Sequence, residues 1–341
     1  MGRVAGPRRL LTPARTGSAA VKTALARRRA SQPSPRRPWQ GEGMTTTVAD
    51  DFETHRPRLF GLAYRMLGSA HEAEDVVQDA YLRYSGADRA EIGQLGAWLA
   101  KVVTNLCLNR LTSARVRRET YVGPWLPEPV VTADGTLGPL ESAEQREAVS
   151  LALLVLLERL TPTERAVYVL REAFGYAHRE IAQLLELTEA NCRQLHRRAV
   201  KRISAEETRF TPTPERQRRL VTSFLGAARD GDLAGLEKLL AQDVVWSSDG
   251  GGKVRTALRP VLGREKVLRF LAGLAQKYGP TWELAEAEIN GEPGVLVHAD
   301  GALIAVIAFE YREDRIVHAR AVMSPEKLDF ARRQLSAQDD D

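Results

Sequence analysis

Two cysteines in 341 residues, Cys107 and Cys192, are too few and too isolated for a disulfide framework or a zinc site, and a reducing cytosol suits them. The longest apolar runs, Leu151–Leu157 and Ala302–Phe309, fall well short of the roughly 20 residues of a membrane span. The GxxxxGK[ST] spacing of a phosphate-cradling loop is missing. The string Asp249-Gly250-Gly251-Gly252-Lys253-Val254 is glycine-rich without it, and reads as a mobile hairpin tip whose bare backbone can approach a partner. Positive charge is also scarce where it would matter. The net charge is +5, but residues 1–43 hold nine Arg and one Lys against one Glu, a balance of +9, so the other 298 residues sum to −4. Any nucleic-acid affinity must therefore be local. Nothing in the chain calls for a cofactor or a metal.

A hydrophobic content of 43% supports packed cores, and the length suggests two or three domains. Residues 1–43, rich in Arg, Pro, Ala and Ser without a helical period, read as a disordered basic tail. Met44 is then the expected start of the protein, with the preceding residues an extension. Residues 44–120 form a first helical module and 121–142 a Pro- and Gly-rich linker. Residues 143–209 form a second helical module and 212–330 a third domain, and 331–341 read as a disordered acidic tail.

The most informative stretch is 161–202. Thr161-Pro162-Thr163-Glu164 is a helix start, with a capping Thr, Pro in the first turn and a Glu that can reach back to the cap. A second helix carries Ile181, Leu184 and Leu185, and Glu186-Leu187-Thr188 is the turn. A third puts Cys192, Leu195, Ala199 and Ile203 on one face and Arg193, Gln194, Arg197, Arg198 and Lys201 on the other. This helix-turn-helix suits a major groove, where Arg reads guanine, Gln reads adenine and other cations meet phosphate. Glu186 at the turn would cost about 0.5–1 kcal/mol if its φ is positive.

In the first module, Ser69-Ala70-His71-Glu72 is another helix start. The helix it opens buries Val76, Val77, Ala80, Tyr81 and Tyr84 and shows Glu74, Asp75, Gln78 and Asp79 outward. The next helix, from Leu95 to about Arg118, packs Trp98, Leu99, Val102, Val103 and Leu106. Outward it carries Asn105, Asn109, Arg110, Arg115, Arg117 and Arg118. An acidic stripe followed by an amide-rich basic one points to one protein partner and one nucleic-acid partner.

HEAEDVVQDAYLRY (residues 71–84) with AWLAKVVTNLCLNR (97–110) resembles region 2 of bacterial sigma factors, and residues 160–203 resemble region 4. No region 1 or 3 is recognisable, so the chain resembles the extracytoplasmic-function (ECF) group. The resemblance implies that Glu74, Asp75, Gln78 and Asp79 dock on the clamp coiled coil of core RNA polymerase, with the flap as a further contact. It implies that Asn105, Asn109 and Arg110, with the loop before their helix, open and read the −10 promoter element. Arg193, Gln194, Arg197, Arg198 and Lys201 would read the −35 element. Asn109 stands where many members carry Asp.

The linker string Trp125-Leu126-Pro127-Glu128-Pro129 is stiff and apolar, better suited to a groove than to solvent. Beyond residue 212 two helices precede strands at Trp282–Ile289, Val295–Ala299, Ala302–Tyr311 and Arg315–Val322, an α+β domain with a curved antiparallel sheet. Residues 224–249 are similar to the opening of SnoaL-like, NTF2-type cones, which leave room for a pocket ligand. WLPEP, DGGGKV and Ser324-Pro325-Glu326-Lys327-Leu328 together resemble the sigma-J-like subgroup, in which such a tail regulates its own sigma modules without a separate anti-sigma protein. An interdomain contact through Trp125, Leu126, Pro127, Asp249, Gly250, Gly251, Gly252, Lys253, Pro325 and Leu328 is thereby implied. Trimming the chain beyond Val322 would relieve inhibition. The competing reading is a cyclase or isomerase with a DNA-binding leader, using acids and bases among Asp243, Asp249, His298, Asp300, Glu310 and His318.

Overall fold

The structure, a computed structural model, describes residues 48–132, 149–204 and 212–339. The expectations for the basic tail, its start site and the linker beyond Thr132 lie outside these residues, as do the side chains of Arg115, Arg117 and Arg118.

The N-terminal module comprises α1 (Val48–Glu53), α2 (Arg56–Leu67), α3 (Ala70–Ser85) and α4 (Leu95–Glu119). Gly68, at φ 68°, closes α2 and lets Ser69 cap α3, its side chain accepting from the Glu72 amide at 3.1 Å. A left-handed turn of this kind favours Gly because it carries no Cβ. Here a Cβ would also approach Trp125 of the linker to 3.1 Å.

The second module comprises α5 (Leu151–Leu157), α6 (Pro162–Glu172), α7 (His178–Leu185) and α8 (Glu189–Ser204). The expected capping box starts α6, with Thr161 and Glu164 each accepting the other's backbone amide. Glu164 is buried and also pairs with Arg202, so one carboxylate ties the start of α6 to the end of the basic helix. Glu186 does adopt the left-handed conformation, at φ 57°, and the helix-turn-helix accepts that cost. A single apolar core runs through both modules, from Phe52 and Leu67 to Val167, Cys192 and Ile203.

The third domain is a cone. Helices α9 (Pro214–Asp230), α10 (Leu233–Leu239) and α11 (Arg264–Tyr278) line one face of a six-stranded sheet. Its strands are β1 (Leu240–Asp249), β2 (Val261–Leu262), β3 (Trp282–Ile289), β4 (Glu292–Ala299), β5 (Ala302–Arg312) and β6 (Arg315–Val322), in the order β2-β1-β6-β5-β4-β3. The sheet is mixed rather than antiparallel throughout, because β1 lies parallel to β6, with Trp246 opposite Ala319. Alternation along the strands splits the sheet into two faces. Val295, Val297, Ile307 and Phe309 face the helices, while Leu296, Val306, Ala308 and Val322 face the other way.

That outer face is covered by Leu126 and Val131 of the linker, Leu151 of α5, and Leu328 and Ala331 of α12 (Pro325–Asp339). The expectation of a disordered tail from 331 is thus corrected: the helix continues to Asp339. Leu328 and Ala331 are fully buried, and Phe330 stacks on Phe60 of α2 at 5.5 Å. These contacts offset the helix's polar composition.

Candidate functional site

On α8 the apolar residues Cys192, Ala199 and Ile203 face the core, which turns Arg193, Gln194, Arg197, Arg198 and Lys201 to solvent. Arg193 pairs with Glu189 one turn earlier. On α4, Asn105 and Asn109 are exposed, while Arg110 folds back onto α3 and pairs with Asp75 at 3.2 Å and Asp79 at 2.9 Å. Burial opposes its charge, but the two carboxylates outweigh it and raise its pKa. A residue expected at DNA therefore binds the acidic stripe. Gln78 is exposed, and Glu74 is occupied by Arg333 of α12, whose Nη2 lies 2.7 Å away.

The two basic surfaces lie close together. Lys101, one turn before Asn105, reaches Glu186 in the helix-turn-helix at 3.0 Å, and Arg165 Nε donates to the Arg65 carbonyl at 3.2 Å. Burial pulls both guanidiniums down from their usual pKa.

A clasp joins the linker, the glycine-rich turn and the start of α12. The buried Asp249 carboxylate accepts from the Tyr121 hydroxyl at 2.6 Å, the Leu126 amide at 2.8 Å, the Gly251 amide at 3.0 Å and Lys327 Nζ at 2.7 Å. Its backbone carbonyl takes the Met323 and Ser324 amides. Lys327 also donates to the Leu126 carbonyl and lies over the rings of Trp125 and Tyr121, at 4.3 and 4.6 Å. Burial and then the hydrogen bond to Asp249 push the Tyr121 phenol up.

The glycine string is not a hairpin tip. Lys253 and Val254 donate back to the Gly250 carbonyl, and Gly251, at φ 63°, lies where a Cβ would come within 2.6 Å of Ser324 Oγ. Gly252 abuts Val122, Lys253 pairs with Glu326, and Pro325 starts the helix that buries Leu328. Pro127 is buried beside Leu126. The structure thus brings the three motifs together around Asp249 and Lys327.

A second set of contacts was not anticipated from the sequence. Asn290, fully buried at φ 54°, accepts the Val130 amide at 3.1 Å and donates its amide hydrogens to the Tyr64 hydroxyl and the Val149 carbonyl at 2.7 and 2.8 Å. Tyr64 in turn donates to the Glu128 carbonyl at 2.5 Å, and burial drives its pKa upward. The Glu128 carboxylate accepts from Ser69 Oγ and the His71 amide at the start of α3, while burial raises its own pKa. Val131 bridges to Ile289 at the sheet edge. The available signal was Asn290-Gly291, the dipeptide of a tight hairpin with both φ positive.

The acids and bases of the enzymatic reading lie apart from the cone's interior. Asp243 pairs with Arg312, Glu310 with Arg320, and His318 bonds Ser247 at 2.9 Å. Asp249 is in the clasp, Asp300 is in the β4–β5 turn and His298 is at the end of β4. None of the six lines the cavity of about 1170 Å³ between the sheet and α11.

Comparison with known proteins gives two family matches: Sigma-70 region 2 over residues 52–117 and Sigma-70 region 4 over residues 150–203. The chain is 41% identical over 247 residues to the ECF RNA polymerase sigma factor SigJ of Mycobacterium tuberculosis, covering 72% of this chain and 79% of that one. It is 31% identical over 294 residues to the probable ECF sigma factor SigI of the same species, covering 84% and 97%. The crystal structure of M. tuberculosis SigJ superposes with a TM-score of 0.66 at 36% identity, over 82% of this chain and 98% of that one.

Proposed function

The chain belongs to the extracytoplasmic-function RNA polymerase sigma factors, transcription factors rather than enzymes, and on that premise we propose that the form described here is its closed state. As a sigma factor it binds core RNA polymerase and directs promoter recognition. In our reading Asn105 and Asn109 serve the −10 element, and Gln194, Arg197, Arg198 and Lys201 serve the −35 element. Glu74, Asp75, Gln78 and Asp79 meet the polymerase clamp, and Arg193 and Arg110 join in once released from Glu189 and from Asp75 and Asp79.

The Lys101–Glu186 contact carries this reading. Promoter elements about 25 base pairs apart lie on the order of 80 Å apart along B-DNA, at 3.4 Å per base pair. Two reading helices whose neighbouring residues form a 3.0 Å ion pair cannot serve both at once. The modules must separate, and the SnoaL-like domain holds them through the Asp249–Lys327 clasp, Asn290 and the Arg333–Glu74 pair. Because these contacts are intramolecular, a modest interface suffices to hold the closed form. This regulation in cis makes a separate anti-sigma protein unnecessary.

The test is capture of core polymerase by the purified full chain and two variants. Arg333→Glu should bind better than the unmodified chain, because it frees Glu74 and repels it. Asp75→Lys with Asp79→Lys should lose binding while keeping its circular dichroism spectrum. Undiminished capture by the double variant would refute the assignment of the acidic stripe.

A further inference from the structure

The cone holds a half-open cavity of about 1170 Å³. A concave, largely apolar space of this size has the form of a small-molecule site. Its wall is apolar and aromatic, including Trp246, Phe270, Ile307 and Met323. The charged residues that line it are unbalanced: Arg229, Arg255, Lys277 and Arg332 against the single carboxylate of Asp230. A neutral apolar ligand would gain nothing from that excess, and a cation would be repelled by it.

The lining also includes Val254, Arg255 and Thr256, directly after the glycine turn, and Met323 and Pro325, which flank Ser324. Both segments hold the clasp: Gly251 and Lys327 bind Asp249, and Lys253 pairs with Glu326. Arg332 belongs to α12 itself, where it donates to the Leu303 and Pro325 carbonyls at 2.9 and 3.2 Å and pairs with Asp329 at 2.8 Å, which leaves Arg255 as the cation open to an occupant at this rim. The polar end of an occupant is thus placed where the clasp's two loops leave the cavity.

We propose that the cavity binds an amphipathic organic acid. Its chain or ring body lies against the aromatic wall, and its carboxylate is held by Arg255 at the rim beside the clasp. The site stands apart from the promoter assignments, and its failure would leave them untouched.

The experiment titrates the full-length protein with dodecanoate, dodecanol and dodecylamine below their micellar concentrations, following displacement of a dansyl-labelled fatty acid. The expected result is saturable binding of one dodecanoate per chain, at least about tenfold tighter than dodecanol, with dodecylamine weakest. Arg255→Glu, at an exposed position, should abolish the preference for acid over alcohol while dodecanol binds as before. Ala321→Phe, which fills the cavity, should weaken both. Should it misfold, the Arg255→Glu comparison still decides. Absence of saturable binding, equal affinity for the three probes, or an acid preference that survives Arg255→Glu would each overturn the proposal.

Discussion

The Asn290 side chain and the Tyr64 hydroxyl, 226 positions apart in the chain, meet at 2.7 Å inside the protein. One amide thereby ties the β3–β4 hairpin to α2, to the linker at Val130 and to the second module at Val149.

Asn290→Ala would leave Tyr64, Val149 and Val130 each short of a partner and put a Cβ-bearing residue without Asn's tolerance at φ 54°. Buried groups left unsatisfied cost about 1–3 kcal/mol each before relaxation. Urea unfolding should show a loss of that order, and the linker should become sensitive to protease under native conditions. A variant as stable and as protease-resistant as the parent would remove Asn290 from the contacts that hold the closed form.

At the Asp249–Lys327 pair, buried on both sides, Lys327→Ala strands the carboxylate and should cost about 3–5 kcal/mol. Lys327→Ala with Asp249→Asn should recover part of that loss, because the buried charge is gone and the amide oxygen can still accept from Tyr121 and the Gly251 amide. A double variant no better than the single would mean that the cost lies in packing against Trp125 rather than in the charge.

The helices and their faces were legible in the sequence because their signals are local. Thr161 and Glu164, the Cys192–Ile203 stripe and the outward Arg and Gln residues lie within a few turns of one another. Pairings between distant segments were not legible. The parallel β1–β6 ladder joins Asp249 to Val322 across a gap that no spacing rule spans. Helix α12 looked like a tail because its apolar residues are few. Leu328, Phe330 and Ala331 are buried, and Leu335 partly so, only because the sheet's outer face and Phe60 are already there to receive them. The glycine string looked mobile for the same reason, since Ser324 and Val122 fix it from afar.

Among the described residues Arg197 projects from α8 without an ion pair such as the one Glu189 gives Arg193, and Arg197→Ala tests the helix most cleanly. Loss of a base contact should cost about 1–3 kcal/mol at the cognate promoter and relax the sequence preference at one position. Loss of a phosphate contact should weaken all sequences alike and reduce the salt slope by about one. Unchanged binding in a filter or anisotropy assay would remove Arg197 from the interface.

His318 supplies a pH dependence. Burial, with Arg320 beside it, holds its imidazole down at about 3 against an ordinary 6.5. The unfolded chain therefore takes up a proton below about pH 6.5 that the folded chain refuses until about pH 3, so stability falls as pH drops through that window. His318→Gln should lose less stability than the parent between about pH 7 and about pH 5 in urea unfolding. Equal losses would place the acid sensitivity elsewhere.

Separation of the two reading helices is the central claim, and it is tested by preventing it. Cys107 and Cys192 are buried, so Lys101→Cys with Glu186→Cys offers two accessible thiols where the ion pair now lies. Bridging them with a short bis-maleimide that contains a cleavable disulfide locks the closed form. Run-off transcription with core polymerase on a cognate promoter should then be silent, and should return when reductant cleaves the bridge. Transcription by the bridged protein at the rate of the unbridged one would contradict the account.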